Sequence, residues 1–390
     1  MSLYIPGFFL NLGWAIVSPI LPLYAESFDI PYALVGLVIT ANALGRILSD
    51  IPLGVVCDRV GRRPLAILGP VIVTVSAVLC GLAQGFYELL AYRFVTGTGM
   101  AMWMVARQAT LADSVDPSIR GRVLSTFQSV NMIGSATGPA VGGIIAELSG
   151  YRAPFFFYAA STAVCALASF LMVKESATGK RDGGVVGIRI HIRQILGFLT
   201  FPILVASFTS FTNNIRFGAR AILIPLFGND VLGLGPGEIG LILSASTVAN
   251  ILMAVPGGYM VDKYGRKAAL VPAFVFTGIT FSLFPFSSSF ASMTLVATVL
   301  GVTSGLGGGA TMAVAADLAP DNLRGLFLGF WQTVGDFGSA ICPVALGLIA
   351  DSYGLEWAFH ATAILMVVTA MTTHFFVGET MKGKAGSRCR

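Results

Sequence analysis

Long apolar runs separated by short polar stretches set the pattern of the whole chain. Twelve such runs can be marked, at roughly 4–24, 33–56, 65–85, 89–112, 123–146, 154–173, 197–227, 236–260, 268–287, 291–316, 325–349 and 356–377. A helix crosses the hydrocarbon core of a bilayer in about 20 mostly apolar residues, so each run predicts one membrane span. Glycine and proline inside the runs are no objection, because neighbouring helices and waters re-satisfy the freed backbone groups. The fold class this predicts is an all-α membrane protein. The chain enters an apolar run at once, with no basic stretch before it and no clear small-residue cleavage site. That run reads as the first span rather than a cleaved signal.

The polar stretches orient the spans. With the stretch at 57–64 placed in the cytoplasm, the inner loops and tail hold 18 of the 24 Lys and Arg residues, whereas the outer loops hold Arg152 beside Glu26, Asp29, Glu88, Glu147, Asp230, Glu238, Asp351 and Glu356. Positive residues accumulate on the cytoplasmic side. Both termini are therefore expected in the cytoplasm and the chain in the plasma (inner) membrane. The longest hydrophilic stretch, 174–194, reads as a linker, with a short amphipathic piece at 187–194. It divides the chain into an N-terminal six-helix bundle (1–173), the cytoplasmic linker (174–194), a C-terminal six-helix bundle (195–380) and a cytoplasmic tail (381–390).

Composition agrees. Hydrophobic residues make up 55% and charged residues 11%, against about a quarter charged in a soluble domain. The net charge is +5, and most charges cluster in short stretches between the apolar runs, which speaks against a nucleic-acid surface. Cys57, Cys80, Cys165, Cys342 and Cys389 are scattered and form no CxxC pair, and His191, His360 and His374 lie far apart. No disulfide framework, metal site or cofactor is expected. Gly305-Leu-Gly307-Gly-Gly-Ala310 fits a dinucleotide fingerprint, but it lies inside an apolar span with no strand before it. Close helix packing explains it better.

The two halves repeat. At an offset of 204 residues, as from Asp58 to Asp262, these pairs coincide: Gly54/Gly258, Gly61/Gly265, Arg62/Arg266, Asp113/Asp317, Arg120/Arg324, Gly121/Gly325, Gln128/Gln332, Pro139/Pro343, Gly143/Gly347, Gly150/Gly354 and Phe155/Phe359. Both members of each pair face the same side of the membrane, so the repeats are parallel, as in transporters whose halves rock about a midplane site.

The repeated residues form motifs. The loop between spans two and three reads Gly54-Val-Val-Cys-Asp58-Arg59-Val-Gly61-Arg62-Arg63, and its counterpart reads Gly258-Tyr-Met-Val-Asp262-Lys263-Tyr-Gly265-Arg266-Lys267. Gly61 permits a turn too tight for a side chain, and Asp58 can accept bonds at a neighbouring helix N-terminus. Span four opens Arg93-Phe-Val-Thr-Gly97-Thr-Gly99. Span five carries Gly134-Ser-Ala-Thr-Gly138-Pro139-Ala-Val-Gly142-Gly143, and span one Pro19-Ile-Leu-Pro22-Leu-Tyr24. Small residues four apart let helices approach closely. Packing is one role for that face, and the functional alternative is that it slides against span eight of the other half.

At these residues the chain resembles the major facilitator superfamily over nearly its whole length. The resemblance implies the major facilitator fold: twelve transmembrane helices in two parallel-repeated six-helix bundles around a central cavity. It implies a gating role for the loop residues, with Asp58 meeting span eleven near Arg324, and it associates the span-five motif with antiporters that export drugs. Many proton-coupled drug exporters carry an acid in span one. This chain has none there, so proton coupling would fall to Asp50, Asp336 or the loop carboxylates.

Charges inside spans are functional by default and need partners. Arg46, Asp50, Arg93, Arg216, Arg220 and Asp336 lie in or near spans, and Arg107 lies nearer the inner end of span four. Arg46 and Asp50 are one turn apart and can pair. Asp336 offers Arg46 an alternative partner: both stand about 18 Å from the cytoplasmic ends at about 1.5 Å per residue, and the resemblance sets spans two and eleven opposite each other. Arg216 and Arg220 share a face of span seven beside Asn213 and Asn214. The resemblance places span seven on the cavity, which makes these four substrate-binding candidates. The alternatives are internal neutralisation or outer snorkelling.

The function expected is secondary export of a small organic molecule by alternating access, proton-coupled and working as a monomer in the lipid bilayer. Four intramembrane arginines against two aspartates favour an alternative, an organic-anion carrier. A membrane sensor or scaffold is the rival of another class, and intact gating motifs in both halves argue against it. No nucleophile–base arrangement points to an enzyme.

Overall fold

The computed structural model describes residues 4–114, 120–173, 201–320 and 323–379. The expected linker, its amphipathic piece and the tail lie outside the described residues. The α-helices are α1 (Tyr4–Val17), α2 (Ile20–Glu26), α3 (Tyr32–Val60), α4 (Arg62–Leu82), α5 (Phe86–Ser114), α6 (Arg120–Ser149), α7 (Ala153–Met172), α8 (Phe201–Asp230), α9 (Pro236–Tyr264), α10 (Arg266–Leu283), α11 (Phe290–Leu318), α12 (Arg324–Tyr353) and α13 (Leu355–Phe376). A short 3-10 turn, Phe284–Phe286, follows α10. Among the described residues, each of the twelve apolar runs is helical over most of its length, and no strand occurs.

The first run is bent by 43° between α1 and α2. Pro19 sits at the break. It has no amide hydrogen, and its ring clashes with the preceding turn. Among the described residues, eight helices qualify as spans by length and apolar character alone, and the bent pair makes nine. The helices outside that count, α5, α6 and α8, are the polar ones. α5 carries Arg93 and Arg107, α6 carries Asn131, and α8 carries Asn213, Asn214, Arg216 and Arg220. Each is 29 or 30 residues long, about 45 Å at 1.5 Å per residue. Length alone lets them span, and their polar side chains turn toward protein instead of lipid.

The chain divides into two compact units, residues 1–182 with 224–244, and residues 183–223 with 245–390. In the first, α5 packs on α3 and α4, α4 on α7, and α1 on α6 and α7. In the second, α10 packs on α11 and α13. Apolar burial gives little drive between helices in lipid, so close van der Waals contact must do the work. Glycines supply it. A Cβ on Gly97 of α5 would overlap the Asn42 carbonyl of α3, and one on Gly301 of α11 would overlap the Ser246 carbonyl of α9. These two crossings are 204 residues apart. The repeat also reaches the backbone: Gly61 and Gly265 have φ of 103° and 107°, and Gly150 and Gly354 have 82° and 98°. Phe155 and Phe359 are both fully buried. Phe155 packs on Tyr24 at 5.1 Å, and Phe359 stacks on Phe284 at 5.0 Å.

Candidate functional site

The Gly61 and Gly265 turns join α3 to α4 and α9 to α10. In the first unit, Cys57, Leu65, Ala66, Ala106 and Val173 form a buried apolar cluster under the turn. Arg63 reaches across to α7, donating to the Phe170 carbonyl at 3.4 Å with its guanidinium 5.7 Å from the Phe170 ring. Arg62 is buried and Arg59 exposed. The side chains of Asp58 and Asp113 lie outside the described ones. Among the described residues, a Cβ on Gly54 or Gly258 would meet nothing within 4 Å.

The second turn is more fully tied. Arg266 Nε donates to Asp317 Oδ2 of α11 at 3.1 Å, and Nη1 to the Val261 carbonyl at 3.1 Å. The same guanidinium reaches Asp262 Oδ1 at 3.4 Å. Glu379, just past α13, accepts from the amides of Arg266 at 2.9 Å and Lys267 at 3.3 Å. It thus caps the α10 N-terminus, where amides lack intrahelical partners and the dipole favours an anion. A Cβ on Gly265 would overlap that carboxylate. Sequence reading missed Glu379. The signal was there: at the offset of 204, Glu379 coincides with Glu175.

The span-five glycines divide between two faces of α6. Gly134, Gly138 and Gly142 face α1, where a Cβ on Gly138 would overlap Ala15 and one on Gly142 the Ile16 carbonyl. That is close packing within one bundle. Pro139 and Gly143 face the start of α9: a Cβ on Gly143 would overlap the Pro236 carbonyl, and one on Gly240 the Pro139 carbonyl. The Ala140 amide donates to Ser244 Oγ at 2.9 Å. The stretch that meets span eight is therefore Pro139 to Gly143.

Arg216 and Arg93 are buried without an ion pair among the described residues. Arg216 of α8 is 4% exposed. Nη2 donates to Asn213 Oδ1 at 2.8 Å, the guanidinium lies 4.9 Å from the Phe217 ring, and Nε has no partner. Asn213 and Arg216 line a small pocket with Leu270, Ala273, Phe274 and Gly307, about 170 Å³ of empty space including its open mouth. Gly307 belongs to the stretch that resembled a dinucleotide fingerprint. Arg220 donates to Thr247 Oγ1, and Asn214 to the Ser210 carbonyl at 3.0 Å. The four candidates on α8 thus separate: Asn213 and Arg216 face the pocket, while Asn214 and Arg220 bond to their own bundle.

Arg93 of α5 is 1% exposed, and none of its three guanidinium nitrogens has a hydrogen-bond partner. The Trp14 ring of α1 lies 4.9 Å from it. A charge inside a spanning helix costs about 3 kcal/mol on insertion scales, and a desolvated cation–π contact returns about 2 kcal/mol. Arg46, Asp50 and Asp336 are half-buried in α3 and α12.

A carboxyl cluster gathers at the helix ends opposite the two glycine turns. Tyr32 of α3 donates to Asp230 Oδ2 of α8 at 2.7 Å, and Asn229 Nδ2 to Oδ1 at 2.8 Å. The Glu26 carboxyl lies beside Asp230. Burial and the carboxylates of Glu26 and Asp230 push the Tyr151 phenol up. A like charge beside a carboxylate disfavours its ionised form. The sequence offered Glu26 and Asp230 only as outer-loop carboxylates, for topology and among the coupling candidates, and gave no sign that they meet. Among the described residues, no group of three His, Cys, Asp or Glu is placed to hold a metal.

Paired bundles, repeated glycine turns and charges buried within spanning helices define a polytopic membrane transporter, not an enzyme. The Major Facilitator Superfamily model matches residues 3–235 and 209–388. The chain belongs to the Major Facilitator Superfamily. It is 24% identical over 389 residues to the multidrug resistance protein MdtG of Enterobacter lignolyticus, covering 97% of this chain and 91% of that one. It is 23% identical to an uncharacterised MFS-type transporter of Methanocaldococcus jannaschii over 379 residues, 95% of this chain and 96% of that one. Among solved structures, a bacterial homolog of the human lysosomal transporter Spinster superposes with a TM-score of 0.81 at 15% identity, covering 96% of each chain. The nucleoside transporter NupG gives 0.81 at 13%, covering 97% of this chain and 99% of that one. A D-xylose–proton symporter gives 0.77 at 16%, covering 97% and 98%.

Proposed function

We propose that the protein is a proton-driven secondary transporter that exports a small organic molecule by alternating access. It would sit in the inner membrane as a monomer with both termini in the cytoplasm, the Asp230 end outside and the Gly61 and Gly265 turns inside. The observation that carries the reading is the relation to MdtG multidrug resistance proteins along 97% of the chain. The Glu26–Asp230 pair supports proton coupling, because Glu26 closes the first span and two adjacent carboxyls favour taking up a proton. Opening the outer end would part α8 from Glu26 and Tyr32 and let the proton leave. The Arg266–Asp317 tie and the Glu379 cap support a gating role for the inner turns. By the repeat, Arg62, Arg63, Asp58 and Asp113 serve the first turn.

One observation favours a second reading, a carrier for an organic anion. Arg216 lines a pocket with Nε unpartnered and, among the described residues, no ion pair. A thermal-stability screen on the purified protein separates the two, because a ligand that binds the native state raises its melting temperature by mass action. Stabilisation by cationic dyes supports drug export. Stabilisation by organic anions alone replaces that reading with the anion carrier.

A further inference from the structure

The deepest unmet polar demand in the first unit is at Arg93. All three of its guanidinium nitrogens are buried and without partners, and so is the hydroxyl of Tyr158. Tyr158 lies on α7, Trp14 on α1, and Cys80 on α4. The ionisable groups near enough to act on the guanidinium are Cys80 and Tyr158, and neither is a carboxyl. Two nearby hydroxyl sites have partners of their own. Ser76 and Thr96 bond to each other at 2.9 Å, and Ser161 donates to the Phe9 carbonyl at 2.6 Å. An arginine cannot shed its proton in a protein, so burial leaves it a full charge and unused donors.

The surroundings are built rather than accidental. A Cβ on Gly13 of α1 would overlap the Tyr158 ring, so that glycine lets the phenol lie against α1, next in sequence to Trp14. The second half does not repeat the arrangement. At the offset of 204, Arg93 becomes Ala297, Trp14 becomes Gly218, Tyr158 becomes Thr362 and Cys80 becomes Phe284. Ala297 and Phe284 are fully buried packing residues there. A framework requirement common to both bundles would have left a common residue. What the first bundle adds is a cation, a phenolic donor and an indole face, with no anion to match.

We propose that the first bundle contains a binding site for a compact monovalent anion, held by the Arg93 guanidinium and the Tyr158 hydroxyl beside Trp14. The anion takes the place of the carboxylate that the protein does not supply. Planar carboxylate and spherical halide both suit donors from a guanidinium and a phenol. The site is separate from the Arg216 pocket and does not depend on whether the cargo is charged.

The test is thermal unfolding of the purified full-length protein at constant ionic strength, with bulky gluconate replaced stepwise by chloride, bromide or acetate. A saturable rise in melting temperature is expected with at least one of the three. A rise with chloride or bromide makes the ligand an inorganic counter-ion, and a rise with acetate alone makes it the carboxylate of an organic molecule. Tyr158→Phe, which removes only the hydroxyl, should raise the half-saturating concentration about tenfold or more, the usual worth of a hydrogen bond to a charged group. Arg93→Gln should abolish the response. If Arg93→Gln fails to fold, the wild-type titration and Tyr158→Phe still decide. Equal melting temperatures in gluconate, chloride, bromide and acetate overturn the site. A response left unchanged by Tyr158→Phe overturns it as well.

Discussion

Arg266 Nε and Asp317 Oδ2 lie 3.1 Å apart and tie the first turn of α10 to the last turn of α11. Their side chains are 18% and 23% exposed, whereas Asp262, which shares the guanidinium, is 81% exposed. A partly exposed ion pair is worth up to about 1 kcal/mol. Asp317→Asn should therefore lower the melting temperature by only a few degrees while cutting transport about tenfold. Asp262→Asn should do less to both. Transport into everted vesicles, measured beside thermal unfolding, checks the split. A loss of transport no larger than the loss of folded protein would reduce the pair to a stabilising contact. Asp58→Asn, at the mirror of Asp262, is expected to stop most transport at normal expression.

Glu379 offers a test of the cap. Glu379→Ala removes the acceptor for the Arg266 and Lys267 amides and should destabilise by about 1 kcal/mol, as lost caps do. Gly265→Ala should cost more, because φ is 107° and the new methyl would meet the Glu379 carboxylate. If the double variant is no less stable than Gly265→Ala alone, the cap contributes nothing once the turn is strained. Differential scanning fluorimetry on the purified variants gives the order.

The carboxyl pair makes a prediction about protons. Glu26→Gln supplies Asp230 with a permanent donor, so α8 no longer loses a bond when the pH rises. Efflux by the wild type should vary with an imposed pH gradient, and efflux by Glu26→Gln should vary much less. A full response in both Glu26→Gln and Asp230→Asn would remove this pair from the coupling path and leave Asp50 and Asp336.

Arg216 bears on the cargo. Arg216→Gln keeps Asn213 a partner but removes the charge from the pocket. Binding of anionic ligands should weaken about tenfold or more, the scale of a charge-assisted hydrogen bond, with cationic and neutral ligands changed little. Equal binding of all three classes in the variant would deprive the anion-carrier reading of its support.

The glycines of the motifs should behave differently from one another. Gly142→Ala drives a methyl into the Ile16 carbonyl and should fail to fold or unfold many degrees early. Gly54→Ala and Gly258→Ala meet open space and should fold normally, so any loss of transport they cause must arise from motion and not from packing. A folding defect in Gly54→Ala as severe as that in Gly142→Ala would refute the distinction.

The spans, the repeat and the glycine turns were legible because each is a local pattern: an apolar run, a fixed offset, a Gly at a helix junction. The bend at Pro19 was legible in principle from the proline alone. What was not legible is tertiary. Three glycines at intervals of four mark a face of α6, but nothing in their spacing says that the face meets α1. Glu26 and Asp230 are 204 residues apart and read as loop charges until α2 and α8 are seen end to end. Glu379 lies beyond the last span, where an acidic residue is unremarkable unless its distance from Gly265 is known. Asn213 and Asn214 are adjacent, and only the helix phase assigns one to a pocket and the other to the Ser210 carbonyl.

The crossings at Gly97 and Gly301 have a mechanical consequence. Where two backbones touch, neither helix can roll or slip past the other without a carbonyl climbing over an α-carbon. The α3–α5 and α9–α11 pairs should therefore act as struts, carrying load along their length without bending. Compliance in each half must then come from places where backbones stand apart or break, and the 43° joint at Pro19 is one such hinge.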